Sequence, residues 1–502
     1  MWLKIALPLF FLFGQHCLCE AHIETHTKNP RVLLISFDGF RWDYVELAHR
    51  EGRKTPNFDS LIQNGVKAKW VKNVFATKTF PNHYTLVTGM YEESHGVVGN
   101  EMYDPVFNET FKMNNFSQEC DPKWWNNGTK GGGGEPIWVT NQKDEQSLER
   151  RWSGVMFWPG SSAKVHGVHP YHYMDYDASL PNKTRIDNIV KWFSAKEDPI
   201  NLGLLYFSEP DGLGHSKGPE SLQMIDMIVA LDRLVGYLIE QLKAYSLFES
   251  INIIITSDHG MAQIKSSIKI DDTVNSSTYK VYGSSPIWNI MPSDGLQEEV
   301  YEKLKKIKHL TVYRKEDIPE KFHYKHNRRV LPILIAADEG YSLCDVNHLP
   351  CQEIGGNHGF SNDFKSMHPF FIAHGPVFKR GYISEPFNSV DVYPLICKIL
   401  NIQPAPNNGS LDNIQHILKL IEHKHGPRQL FGFTVTAVTF LLVVLFAAMM
   451  SGICCIAACR VQRIHTHHLH PHLVKLGSVH FGGNMRLLTT DDDEDDYEEE
   501  IP

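Results

Sequence analysis

Residues 251–259 read INIIITSDH, a β-branched apolar run that closes on Asp258 and His259. The pattern recurs twice. VLLISFD (32–38) ends in Asp38, and NLGLLYFSEPD (201–211) ends in Asp211. Three strand-like runs each deliver a carboxylate at the carboxyl end, which is where open α/β sheets bind ligands. His215 follows Asp211 by four residues, His358 lies in GGNHGFSND, and Thr79 lies in TKTFPNHYTLVTG. Together Asp38, Thr79, Asp211, His215, Asp258, His259 and His358 read as one two-metal site. Their donors are oxygen and imidazole nitrogen with no thiolate, a set that suits zinc in a catalytic rather than a structural role.

Around this set, residues 30–415 alternate strand-like and helix-like patterns without a long low-complexity break. That predicts one large α/β domain with a mostly parallel central sheet flanked by helices. A helix is expected after Thr55, with Pro56 at its first position. A longer one is expected over about Glu220–Tyr245, where Ile225, Ile228, Leu231, Val235, Leu238 and Leu242 recur at helical spacing. A third follows Ser389 and carries Tyr393 to Leu400. MHPFFIAHGP (367–376) reads as a further buried strand. NNGTKGGGGE (126–135) lacks the strand-then-helix context of a phosphate-binding loop and reads as a surface insertion.

The ends of the chain carry targeting signals. Residues 1–19, with Lys4 before the apolar run 5–14, read as a cleaved signal peptide; an uncleaved anchor would need a longer run. Residues 431–459 are apolar and long enough to span a bilayer, and Arg460 and Arg463 follow at once. A catalytic domain over 30–411, a stalk over 412–430, a transmembrane helix over 431–459 and a cytoplasmic tail over 460–502 are therefore expected. A single-pass type I protein of the cell membrane, with its catalytic domain outside, is the expectation. A glycolipid-anchor signal would leave no such tail. Six Asn-x-Ser/Thr acceptors, at Asn108, Asn115, Asn127, Asn182, Asn275 and Asn408, all precede the span, which agrees with a glycosylated extracellular body.

The net charge of −9 says little about the substrate, because DDDEDDYEEE (491–500) holds nine acids and the other 49 balance the 49 Lys and Arg. A basic surface for a nucleic-acid polymer is not indicated. The acidic end reads as a solvated segment or as a signal for an unnamed cytoplasmic partner. Of nine cysteines, Cys344 and Cys351 are close enough for a local disulfide, and Cys397 reads as a buried free thiol. Cys120 is left without an assigned partner. Cys454, Cys455 and Cys459, at the inner membrane boundary, are either acylated or plain thiols.

The chemistry follows from residue types. Pro81 is placed as the first residue of a helix, which puts Thr79 at or near the N-cap, facing unpaired N–H groups and the positive end of the helix dipole. A hydroxyl there caps the helix or, with a metal to activate it, acts as a nucleophile. The spacing Asp211-x3-His215 fits one face of a helical turn, and its glycines fit a loop equally well. Gly260 after Asp258-His259 permits a sharp turn. His83, His95 and His374 read as structural or hydrogen-bonding groups.

LLISFDGFRWDY, NVFATKTFPNHYTLVTGMYEESHG, EPIWVTNQ, EPDGLGHSKGP, ITSDHGM and the Asn-His-Gly around His358 share a further property. In this order they resemble the ectonucleotide pyrophosphatase/phosphodiesterases, a branch of the alkaline phosphatase superfamily. The resemblance covers about residues 30–410 and is greatest to the short, single-pass fourth and fifth members. It implies two zinc ions, one held by Asp211, His215 and His358, the other by Asp38, Asp258 and His259 with Thr79. It implies Thr79 as the nucleophile that forms a phosphothreonyl ester, Asn100 as donor to a phosphate oxygen, and Phe80 and Tyr176 as the aromatic pair that holds a nucleotide base. The implied reaction is extracellular hydrolysis of nucleotide phosphodiester or pyrophosphate bonds, with diadenosine polyphosphates, NAD or nucleoside triphosphates as candidate substrates. A lipid or choline phosphodiesterase would use the same metals. A catalytically weak receptor or adhesion ectodomain would tolerate loss of a ligand, and all seven positions are intact. A sulfatase would need a Cys/Ser-x-Pro-x-Arg segment, which is absent. The sequence departs from the short members in its lengthened 126–135 loop and in Ile264 and Lys265, where they carry a cysteine.

Overall fold

Arg31–Phe37 is buried along almost its whole length and lies inside an eight-stranded sheet of the computed structural model, which describes residues 30–126, 133–144, 150–419 and 428–465. In spatial order the strands are Tyr382–Ser384, Val66–Ala68, Phe371–His374, Ile251–Thr256, Arg31–Phe37, Leu202–Phe207, Ser153–Met156 and His172–Met174. All neighbours run parallel except the two pairs made by Phe371–His374. The expected mostly parallel α/β sheet is thus present, with one reversed strand near an edge.

Side-chain alternation along these strands supplies two cores. Val32, Leu34, Leu202, Leu204 and Ile254 pack on one face, with Tyr84, Leu86 and the Val392–Leu400 helix. Leu33, Ile35, Phe37, Leu205, Ile253 and Ile255 pack on the other, against Ile225, Ile228, Leu231, Val235, Leu238 and Leu242 of the helix Leu222–Ala244. Both faces are covered, which is why the strands read as continuous apolar runs. The helix Pro56–Gln63 begins at Pro56 as expected.

The parallel register decides where the acids go. Phe37 lies opposite Phe207 and Ser36 opposite Thr256, so three strands end at one level. Asp38, Asp211 and Asp258 leave the sheet from that shared edge.

The sequence reading did not anticipate a second sheet. Tyr279–Ser284, Ile287–Pro292, Ile333–Ala337 and Leu310–Arg314 form a four-stranded antiparallel sheet with its own core of Trp288, Ile290, Val300, Leu304, Ile333 and Ile335. Ser285-Pro286 between two short runs was the available hairpin signal. Cys344 and Cys351 form the expected disulfide, and Cys397 is a buried free thiol.

The expected start of the stalk is corrected. Ile414 and Ile417 are fully buried, Phe378 bridges to Leu418, and the Lys419 amide donates to the Val377 carbonyl at 2.8 Å. The chain as far as Lys419 therefore belongs to the folded body, because these two isoleucines fill its core. Separately, Arg428–His465 is one helix whose Val438–Ala457 portion is long and apolar enough to cross a bilayer, which fits a single-pass membrane anchor. The signal segment, Asn127 with residues 127–132, and the tail beyond residue 465 with its acidic end lie outside the described residues. Asn108, Asn115, Asn275 and Asn408 are exposed, and Asn182 opens the helix Asn182–Phe193 half-buried.

Candidate metal centre and nucleophile

The helix Thr79–Thr88 starts two residues earlier than Pro81, so Thr79 is its first residue and Lys78 the N-cap. This corrects the expected start; the Asn82 amide already bonds the Lys78 carbonyl at 3.2 Å, which draws Thr79 into the first turn. The Phe80 amide, left unpaired by the helix, donates to Asn100 Oδ1 at 2.8 Å. Because that donor fixes which amide atom is oxygen, the Asn100 NH2 remains free to donate. Thr79 Oγ1 lies 3.4 Å from His259 Nε2.

The ambiguous Asp211-x3-His215 segment is helical, Asp211–Lys217, and sets both side chains on one face. Gly355 has φ +78°, and a Cβ there would lie 2.0 Å from the His215 carbonyl oxygen. Glycine thus lets the His358 loop approach this helix. Gly260 serves close approach too, not the expected turn: its Cβ would lie 2.1 Å from the Ser366 carbonyl.

The imidazole orientations are informative. His215 Nδ1 lies 3.0 Å from the Gly356 carbonyl, His358 Nδ1 2.8 Å from Thr77 O, and His259 Nδ1 2.9 Å from Gly260 O. Each carbonyl can only accept, so each Nδ1 carries a proton, and in the neutral ring each Nε2 presents a lone pair. Those lone pairs face carboxylate oxygens. His215 Nε2 is 3.4 Å from Asp211 Oδ2, His358 Nε2 is 3.7 Å from Asp211 Oδ1, and His259 Nε2 is 2.9 Å from Asp258 Oδ2 and 3.4 Å from Asp38 Oδ1. Asp38 Oδ1, Asp211 Oδ1 and Asp258 Oδ2 are buried and accept no hydrogen bond. Acceptor facing acceptor in a buried space is costly, and a cation between them removes the cost. Donor atoms of Asp211, His215 and His358 all lie within 4.8 Å of one another, as do those of Asp38, Asp211 and His259. The residues fit a metal centre.

His83 is the instructive exception. Its donor atom also lies within 4.8 Å of those of Asp38 and Asp258. Yet its Nδ1 is 2.9 Å from Thr79 O and its Nε2 2.8 Å from Ser36 Oγ, so both nitrogens are spent. It remains a hydrogen-bonding group, as its sequence context indicated.

Charge follows the same geometry. Burial first, then the carboxylates of Asp258 and Asp211, hold Asp38 well above the usual range. Asp258 is held below it; burial opposes this, but His259 and His83 outweigh burial. Burial, with His259 and Lys78 nearby, keeps His358 well below the usual histidine range, as a neutral ligand should be.

Two groups were missed by sequence reasoning. Tyr206 donates its hydroxyl to Asp38 Oδ2 at 2.6 Å and so orients that carboxylate; it lies on the strand that leads to Asp211, the one sequence clue. Lys78 is buried, its amine donating to the carbonyls of Ser285 at 2.6 Å and His358 at 2.8 Å, with burial pushing it down to about 7. Beside the cluster opens a cavity of about 450 Å3, with Asp38, Thr79 and Asp211 at its walls together with Phe80, Tyr206 and Tyr176. Its size is that of an ordinary small-ligand site.

A family model described as type I phosphodiesterase/nucleotide pyrophosphatase matches residues 32–361. The ectonucleotide pyrophosphatase/phosphodiesterase family member 5 of Homo sapiens is 44% identical over 415 residues, covering 81% of this chain and 83% of the relative. The bis(5'-adenosyl)-triphosphatase of Mus musculus is 42% identical over 399 residues, covering 79% and 83%. Among solved structures, an inactive threonine-to-alanine variant of the murine ectonucleotide pyrophosphatase/phosphodiesterase 5, in complex with AMP, is 42% identical with a TM-score of 0.72 over 78% of this chain and 100% of that one.

Proposed function

The chain belongs to the type I phosphodiesterase/nucleotide pyrophosphatase family, in its ectonucleotide pyrophosphatase/phosphodiesterase branch, and from that premise we propose that this hydrolase cleaves nucleotide pyrophosphate and phosphodiester bonds outside the cell with two zinc ions and a phosphothreonyl intermediate at Thr79. The observation that carries the reading is the Thr79 hydroxyl at the first turn of a helix, 3.4 Å from His259 and beside three buried carboxylate oxygens that accept no hydrogen bond. Asp211, His215 and His358 would hold one ion, and Asp38, Asp258 and His259 the other, with Thr79. Zinc bound there supplies Lewis-acid chemistry and lowers the pKa of a neighbouring hydroxyl.

This chain's residues perform the rest. The Thr79 oxygen attacks phosphorus in line, the bond to the leaving oxygen breaks, and the nucleoside stays on the phosphate now esterified to Thr79. Water then enters from the side the leaving group vacated and frees Thr79. The Asn100 NH2 donates to a phosphate oxygen as charge develops there. A neutral donor suits a diester, whose reacting phosphate bears one negative charge. The inactive threonine-to-alanine relative bound to AMP supports a threonine nucleophile and a nucleotide site. Diadenosine polyphosphates lead the candidate substrates, since one relative is a bis(5'-adenosyl)-triphosphatase; NAD and nucleoside triphosphates share the bond to be cleaved.

Phe80 and Tyr176, both lining the cavity, would hold the base. Stacking of a base on an aromatic ring is worth about 1–3 kcal/mol. Phe80→Ala is expected to lower kcat/KM for a nucleotide ester by about tenfold or more, and for bis(4-nitrophenyl) phosphate much less. An equal loss on both would assign Phe80 to the shape of the nucleophile helix instead.

The same reading gives the chain type I topology, with a cleaved signal and glycans on the outer body. A fragment ending near residue 425 is expected to fold, be secreted and shrink on deglycosylation; a secreted fragment without glycan would refute the topology.

A further inference from the structure

Between the strand Val71–Lys72 and the nucleophile helix Thr79–Thr88 the chain makes a turn in which Ala76 has φ 51°. A side chain in that left-handed region is strained, and the conformation persists only where its surroundings fix it. Two fully buried side chains, Asn82 and Thr77, do so, each bonded to a different part of the site. Asn82 reaches back from the helix. Its Oδ1 accepts from the Val74 amide at 3.0 Å, and its Nδ2 donates to the carbonyls of Lys78 at 2.9 Å and Ala76 at 3.3 Å. Thr77 reaches across to the His358 loop. Its hydroxyl accepts from the Gly359 amide at 2.9 Å and donates to the Phe360 carbonyl at 2.9 Å. Its own carbonyl accepts from His358 Nδ1 at 2.8 Å. His358, Gly359 and Phe360 are thus all bonded to one residue of the turn, and the Phe360 side chain is fixed in the core of the second sheet.

Asn82 therefore ties the turn to the helix that carries Thr79, and Thr77 ties it to the loop that carries His358. A second link between turn and loop, from Lys78 Nζ to the His358 carbonyl at 2.8 Å, runs through a long flexible stem. Threonine is short and stiff at χ1, so it transmits position where lysine does not. We propose that Thr77 is a positioning residue whose hydroxyl sets the spacing between the Thr79 oxygen and the metal site of Asp211, His215 and His358. Attack in line needs the Thr79 oxygen at a fixed distance from a phosphorus that the opposite half of the centre helps to hold, and small displacements there are expensive. The inference rests on the two-metal reading above and adds the residue that couples its halves.

The test compares Thr77→Val, which removes the hydroxyl, with Thr77→Ser, which keeps it, in the full-length chain purified in detergent. Zinc retention is read by titration with a chelator, and kcat and KM with bis(4-nitrophenyl) phosphate at saturating zinc. Losing the buried hydroxyl leaves the Gly359 amide and the Phe360 carbonyl unpaired, so Tm falls in any case and does not decide. Thr77→Val is expected to hold zinc about ten- to a hundredfold more weakly, the scale for a changed partner of a ligating histidine. With zinc saturating, its kcat should fall by about tenfold or more while KM stays within about twofold. Thr77→Ser should keep most of both. A Thr77→Val enzyme that holds zinc as tightly as the wild type, or that turns over at the wild-type rate once saturated, overturns the assignment and leaves the metal centre standing. If Thr77→Val does not fold, Thr77→Ala, which adds no bulk, is judged by the same two measurements. A wild type that keeps its activity when chelated overturns the metal reading itself, and the role of Thr77 with it.

Discussion

Thr79→Ala is expected to lower kcat by roughly four to six orders of magnitude, the upper end being the scale seen when an enzyme's nucleophile is removed. The fold should survive. Thr79 is not the cap of its helix, and its one side-chain contact, to His259 at 3.4 Å, is weak. Loss of such a contact costs about 1 kcal/mol. Thr79→Ser keeps the oxygen but frees its rotation, since a β-branched residue is stiff at χ1 and serine is not. It should stay within about a hundredfold of wild type. A rapid quench of the wild type should trap the nucleotide ester on the peptide containing TKTFPNHY, read by mass spectrometry. The proposed mechanism fails if Thr79→Ala, loaded with metal, turns over at close to the wild-type rate. Water would then be the direct attacker.

Stripping the metals should have an effect of similar size on activity and a second one on stability. Asp38 Oδ1, Asp211 Oδ1 and Asp258 Oδ2 are buried without hydrogen bonds, and three imidazole lone pairs point at them. With a cation absent, like charges and lone pairs repel across this space. Chelation is therefore expected to cut kcat/KM by about a thousandfold or more, since a metal supplies several kcal/mol at the reacting oxygens. It should also lower Tm by roughly 5–10 °C, because ligands held only by the folded state stabilise it by mass action. Zinc should restore both, and metal analysis should return two ions per chain. Asp258→Asn, which keeps the shape and removes one charge, should lose zinc while losing less Tm on chelation than the wild type. A chelated enzyme that stays fully active would rule out the metal centre. A return of one ion would rule out the second site.

Much of this was written locally. The run from Val32 to Phe37 is a strand because all its residues but Ser36 are apolar, on both faces. The helix Leu222–Ala244 is legible in its spacing, and every apolar position named from that spacing is buried. The acids at 38, 211 and 258 were visible as strand ends, because burial dictates the composition of the strand before them and not of the residue after it. The oxygen and imidazole character of the donor atoms was also legible from residue type alone.

Tertiary structure decided what distance controls. Residues 38 and 258 are far apart in sequence; parallel pairing of Arg31–Phe37 with Ile251–Thr256 sets them side by side. Pairing of Arg31–Phe37 on its other side, with Leu202–Phe207, brings Tyr206 to Asp38. Nothing in a sequence period encodes strand order, so neither contact was readable. His83 and His259 are equally buried histidines near Asp258, and only their hydrogen bonds tell them apart: His83 spends both nitrogens, while His259 keeps Nε2 for a cation. The four-stranded sheet over 279–337 escaped notice because its outer strands, Tyr279–Ser284 and Leu310–Arg314, are mostly half-buried and carry mixed residues. Composition and periodicity record what each segment buries; which side chains then meet across the site is decided by the packing of segments, where the long-range contacts are made.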